Sequence, residues 1–100
     1  MKSNSSDKIR LIAEDNGFPG TLNKLAEECA EYTAARLQYH ERKTDNWKEE
    51  LMDVWILMQQ VEILLSGEPI LEAQLMELAG RKIARQIRRI KEREGKIPDL

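Results

Sequence analysis

Two short phrases concentrate carboxylates at helical spacing: Glu27-Glu28-Cys29-Ala30-Glu31 and, after 18 intervening residues, Glu50-Leu51-Met52-Asp53. Residues three apart on an α-helix lie about 60° apart around its axis, so Glu28 and Glu31 share a side, as do Glu50 and Asp53. Two helices that each present a carboxylate pair can hold a hard divalent ion, because oxygen-only donors select Mg²⁺ or Mn²⁺ over zinc or copper. One histidine, His40, and one cysteine, Cys29, cannot assemble a four-ligand zinc site. A ferritin-like di-iron centre needs Glu-x-x-His pairs, and the matching positions here are Glu31 and Asp53.

For the first phrase alone, solvated surface acids are an adequate reading, since the three glutamates lie away from the stripe of Leu22, Leu25 and Cys29. Asp53 is harder to explain that way. It sits between two apolar stripes inside Leu51–Met58, where partial desolvation is expected, and residues 49–80 contain no Lys or Arg to compensate it. A metal ion is one source of the positive charge that Asp53 calls for. Glu49 has an ordinary structural job as the partner of Asn46 in a capping box, and Cys29 reads as a small buried hydrophobe.

The elements that must position these acids are helices. Five glycines and three prolines fall in clusters, which gives long helices with short joints and an all-α fold. A short first helix is expected over about 7–15, ended by Asn16-Gly17 and the Phe18-Pro19-Gly20 turn, with Thr21 capping a second helix that runs to about 40 along Leu22, Leu25, Ala26, Cys29, Thr33 and Leu37. A third helix covers about 46–65 with apolar stripes on two faces: Trp47, Leu51, Val54, Met58, Val61 and Leu65 on one, Met52, Ile56 and Ile63 on the other. After Ser66-Gly67-Glu68-Pro69 a fourth helix, about 68–94, has Leu71, Leu75, Leu78, Ile83, Ile87 and Ile90 on its inner side. The 100 residues suffice for one domain and one core, and no apolar run approaches the length of a membrane span. With no signal-peptide pattern and a lone cysteine, a cytoplasmic setting is expected.

Charge is divided along the chain. Residues 1–80 carry 8 Lys/Arg against 15 Asp/Glu, and residues 81–100 carry 8 against 3. An acidic body with a basic end suits an acidic metal site paired with a phosphate clamp, or a nucleic-acid tail.

Taken together, Glu27-Glu28-x-x-Glu31 and Glu50-x-x-Asp53 at this separation resemble the EExxE…ExxD signature of the MazG-like all-α nucleoside triphosphate pyrophosphohydrolases, in particular their small single-domain phage and bacterial members. The likeness extends over Gly17-Phe18, Leu22–Glu28, Asp53-Val54 and Lys82-Ile83-Ala84-Arg85-Gln86, covering about Gly17 to Glu94. The resemblance implies a four-helix bundle-like fold completed by oligomerisation, as a homodimer or homotetramer. It implies Mg²⁺-dependent hydrolysis of a nucleoside triphosphate to the monophosphate and pyrophosphate, with Mn²⁺ a possible substitute. The metal would be held by the residues matching Glu28, Glu31, Glu50 and Asp53, with Glu27 and Glu28 in the catalytic group.

The chemistry agrees with these residue types, since carboxylates meet a polyanionic substrate only through bridging cations. Lys82, Arg85 and Arg89 on one side of the fourth helix, with Lys24 one turn before Glu28, are candidates for the outer phosphates. Trp55, off the main stripe, is a candidate for stacking on the base, whereas Trp47 reads as core. The competing reading is a non-catalytic helical module, an interaction or nucleotide-sensing domain whose acids only solubilise it. General nucleic-acid binding is not expected of so acidic a chain.

Overall fold

The computed structural model describes residues 5–38 and 46–94, which form helix α1 (Ser5–Leu37), α2 (Asn46–Leu65) and α3 (Pro69–Glu94) with no strand among them. The all-α class is therefore seen directly. The stretch around His40, the expected end of the second helix, lies outside the described residues. No helix of the described residues is long and apolar enough to cross a membrane. The chain divides at Gly67 into two units, 1–67 and 68–100.

In the first unit, the expected first and second helices are one element broken at Gly17, whose φ of 71° and ψ of 168° leave the helical region. Glycine reaches such a positive φ without the Cβ penalty that other residues meet. Phe18-Pro19-Gly20 does not form a separate turn. Helix resumes at once, and Pro19 falls in its first turn, where a missing N–H forfeits no helical bond. Thr21 is consequently not a cap: it lies within the helix, wholly buried, and its Oγ1 has no hydrogen-bond partner.

Helices α1 and α2 pack as an antiparallel pair. Asn16 meets Gln60 at one level and Glu28 meets Glu50 at another, so positions rise on one helix as they fall on the other. The inward line of α1 runs through Ile9, Ala13 and Asn16, then Thr21, Leu25, Glu28, Tyr32 and Ala35. That of α2 runs through Trp47, Glu50, Val54, Leu57, Gln60 with Val61, and Leu64 with Leu65. Both follow the alternating three- and four-residue steps of a helix–helix seam, apart from one step of five in α1 across Gly17. Each seam contains a glutamate.

This differs from the apolar stripe expected on α1. Leu22, Ala26, Cys29, Thr33 and Leu37 are all exposed in the single chain, Leu37 to 74%. Cys29 is a free, exposed thiol and not a buried hydrophobe. The expected stripe is real as a pattern but lies about one position around the helix from the seam that α2 covers. On α2, Leu51, Met52, Trp55 and Met58 are likewise exposed.

Helix α2 ends where Ser66 donates both its amide and its hydroxyl to the Ile63 carbonyl, at 3.2 and 2.6 Å, and the Gly67 amide donates to Leu64 at 3.1 Å. These bonds use up carbonyls that the last turn would leave unsatisfied. In the second unit, Pro69 opens α3 and the Glu72 amide donates to the Glu68 carbonyl at 2.8 Å. No residue of α3 is buried; Leu71, Leu78 and Ile83, expected on its inner side, are exposed.

Candidate metal centre and adjoining cleft

Glu28 and Glu31 come from consecutive turns of one helix and Glu50 from the first turns of the other. Antiparallel packing brings one carboxylate oxygen from each within 4.8 Å of the others. Glu28 and Glu50 are half-buried and Glu31 is exposed. Glu28 Oε2 and Glu50 Oε2 are shut off from solvent, and no donor from outside the acidic cluster reaches either. A buried acceptor without a donor is costly, and an ionised one more so.

Crowding raises the affinity of these groups for protons. Glu28 is pushed up from 4.5 to about 7, first by a carboxyl–carboxylate hydrogen bond with Glu31, then by desolvation and by the charges of Glu31, Asp53 and Glu50. Glu50 is also raised, by desolvation first and then by Glu31, Asp53 and Glu49. An opposite charge among them would favour the ionised forms and so oppose these shifts.

Asp53 stands beside the cluster and acts on both Glu28 and Glu50, but it is exposed. The expectation that Asp53 is the desolvated acid is corrected here: Glu28 and Glu50 bear the desolvation. Asp53 lies three residues from Glu50 and so is rotated off the inward line toward its edge. Glu28, in turn, does not lie away from the packed face as expected of it. Its neighbour Glu27 is exposed.

Beside the cluster a cleft of about 350 Å³ follows the seam. Lys24, Glu28 and Asp53 line it, together with Ile12, Ile56 and the pair Asn16 and Gln60. Lys24 is thus placed with the acids, as its spacing suggested. Trp55 is 49% exposed and lines a neighbouring hollow of about 230 Å³ that shares Ile12 and Ile56 with the cleft. Trp47 is half-buried, with the Arg36 guanidinium 5.2 Å from its ring centre. Lys82, Arg85 and Arg89 are exposed on α3, in the second unit.

Sequence spacing did not single out Asn16 and Gln60. The Asn16 amide nitrogen donates to Gln60 Oε1 at 3.0 Å, and Gln60 is only 3% exposed. A legible signal was present: Gln60 interrupts the apolar run of α2 at a position in phase with Val54 and Leu57.

The donor set suits a hard cation. Oxygen ligands from Glu28, Glu31 and Glu50, with Asp53 adjacent, match the preference of Mg²⁺ or Mn²⁺, and the two shielded Oε2 atoms are what a cation would satisfy. Comparison of the chain with models of known protein families, with curated proteins and with solved structures gave no match.

Proposed function

We propose that the chain is a MazG-like pyrophosphohydrolase that converts a nucleoside triphosphate to the monophosphate and pyrophosphate with Mg²⁺, or Mn²⁺ in its place. The observation that carries this reading is the meeting of Glu28, Glu31 and Glu50 across two helices, with two shielded oxygens that lack any donor from outside the cluster. Three carboxyl groups this close raise one another's proton affinity, a poor arrangement for stability alone and a good one for binding a cation. The ion, when bound, supplies charge compensation for the phosphates and lowers the pKa of an attacking water.

The chain's own residues have separate tasks in this proposal. Glu28, Glu31, Glu50 and Asp53 hold the cation. Glu27, exposed next to Glu28, is assigned the orientation or deprotonation of water in the catalytic group. Lys24 neutralises phosphate charge at the acidic part of the cleft. Lys82, Arg85 and Arg89 retain their proposed role toward the outer phosphates, and Trp55 its proposed contact with the base.

A homodimer or homotetramer belongs to the same reading, with further helices completing a four-helix bundle. The exposed rows on α1 and α2 are surfaces that a second copy would cover. A cytoplasmic nucleotide-pool role fits such a chain.

A panel of nucleoside triphosphates with Mg²⁺, followed by pyrophosphate release, tests the activity. Release that stops on chelation of the metal supports the reading. Release of orthophosphate alone, or no turnover of any triphosphate, rejects it in favour of a non-catalytic module.

A further inference from the structure

We infer that Asn16 and Gln60 form a base-reading pair, so that the cleft takes a nucleobase against Ile12 and Ile56 while the phosphates lie toward Lys24, Glu28 and Asp53. The inference deepens the hydrolase reading and rests on it for the direction in which the substrate lies.

Along the helices the lining passes from a charged part, Lys24 and Glu28 of α1 with Asp53 of α2, to a part at the amide pair of Asn16 and Gln60; Ile56 lies between Asp53 and Gln60 on α2, and Ile12 one turn before Asn16 on α1. Asp53 and Gln60 are seven residues apart on α2, or about 10 Å along its axis. A ligand that fills both parts therefore carries negative charge at one end and a flat, hydrogen-bonding, otherwise apolar group at the other. A nucleotide has that form.

The amide pair then determines what is read. Asn16 donates to Gln60 Oε1, which leaves the Asn16 Oδ1 acceptor and the Gln60 Nε2 donor for a ligand. An adjacent acceptor and donor is the complement of a base edge, which offers one donor next to one acceptor. If both amides rotate by half a turn, the mutual bond is kept and the two exposed functions exchange places. The pair can thus meet a keto base or an amino base by the same contact. Burial fixes Gln60 and gives the pair its position, since a glutamine 3% exposed cannot swing out to solvent without opening the seam.

The test compares pyrophosphate release from uridine and cytidine triphosphates with release from ribose 5-triphosphate, which has no base. Gln60→Met keeps side-chain length and removes hydrogen bonding; Asn16→Ala removes the partner from a half-buried position, and helical circular dichroism reports folding of both. Loss of a base-edge hydrogen-bonded pair corresponds to about a tenfold or greater fall in kcat/KM. That fall is expected for nucleotides relative to ribose 5-triphosphate, mainly through KM, with the wild type using both pyrimidines within about tenfold of each other. If Gln60→Met does not fold, Asn16→Ala alone decides between the outcomes. An unchanged nucleotide-to-ribose ratio in the folded variants overturns the inference and leaves the hydrolase reading standing. If the wild type turns over no triphosphate, that reading fails, and titration of uridine monophosphate followed by tryptophan fluorescence decides the inference separately. Binding weakened about tenfold by the folded variant supports it, and no binding by the wild type overturns it.

Discussion

Glu28 and Glu50 occupy facing positions in the seam of two antiparallel helices, and each turns one oxygen into a space where no donor from outside the acidic cluster meets it. Hydrophobic residues at both positions would pack a helical pair better. The acids there are a departure from what folding alone would select, and that departure has measurable consequences.

Glu28→Gln, Glu50→Gln and Asp53→Asn each keep volume while removing a negative charge. Loss of one group that stabilises transition-state charge lowers turnover by about 10²–10³-fold. Each variant should show that loss with unchanged helical circular dichroism. Near wild-type pyrophosphate release from either seam variant would remove the assigned metal site.

The raised proton affinity of Glu28 gives a pH dependence with a definite sign. Its carboxyl titrates near 7 in the folded chain and near 4.5 in the reference state, so between these values the folded state binds more protons than the unfolded one. Its contribution is therefore fully present below about 4.5, falls as pH rises and is lost above about 7; Glu50 acts in the same direction. Without metal, the melting temperature contributed by these groups should fall between pH 5 and pH 8, and Glu28→Gln should flatten that slope. A slope identical in wild type and variant would count against the assignment.

Mg²⁺ should raise the melting temperature, and more at pH 8 than at pH 5, because protons compete for the same carboxylates. At about ten times Kd, mass action gives about 1.4 kcal/mol, which for a chain of this size is a shift of roughly 6–11 °C. Coincident melting curves in chelator and in saturating Mg²⁺ at pH 8 would rule out a preformed cation site.

Self-association should depend on the exposed row of α1. Sedimentation is expected to give a dimer or larger, and Leu22→Glu to weaken it at least about tenfold, the scale of a moderate interface contact. A wild-type monomer at tens of micromolar, a common range of about 10–50 µM for such measurements, would exclude the proposed assembly.

Much of this was legible in the residues. The span Asn46–Leu65 of α2 follows from its capping residue at one end and Ser66-Gly67 at the other, and the acids that cluster are those picked out by three-residue spacing. The inward face of α1 was not legible, because the longest apolar repeat, through Leu22, Cys29 and Leu37, is left outside by the single chain. Periodicity reports that a face prefers burial, but not which neighbour covers it. For the same reason periodicity leaves Glu28 on the solvent side and sets Asp53 between two apolar stripes. The Asn16–Gln60 pair was missed because its members lie 44 residues apart, and only the pairing of two helices joins them.

Gly17 has a consequence for which glutamate joins the acidic cluster. Counting on from Ile9, Ala13 and Asn16 in an unbroken rhythm of four and three would bring Gly20, Asn23 and Glu27 to face α2. The observed positions are Thr21, Leu25 and Glu28, because the torsion at Gly17 inserts one residue into the count. A Cβ at position 17 would meet nothing within 4 Å, so space alone does not demand glycine; the positive φ does. Gly17 thus acts as a phase shifter: a single backbone angle, eleven residues upstream, selects which of two neighbouring glutamates enters the seam and which is left in water.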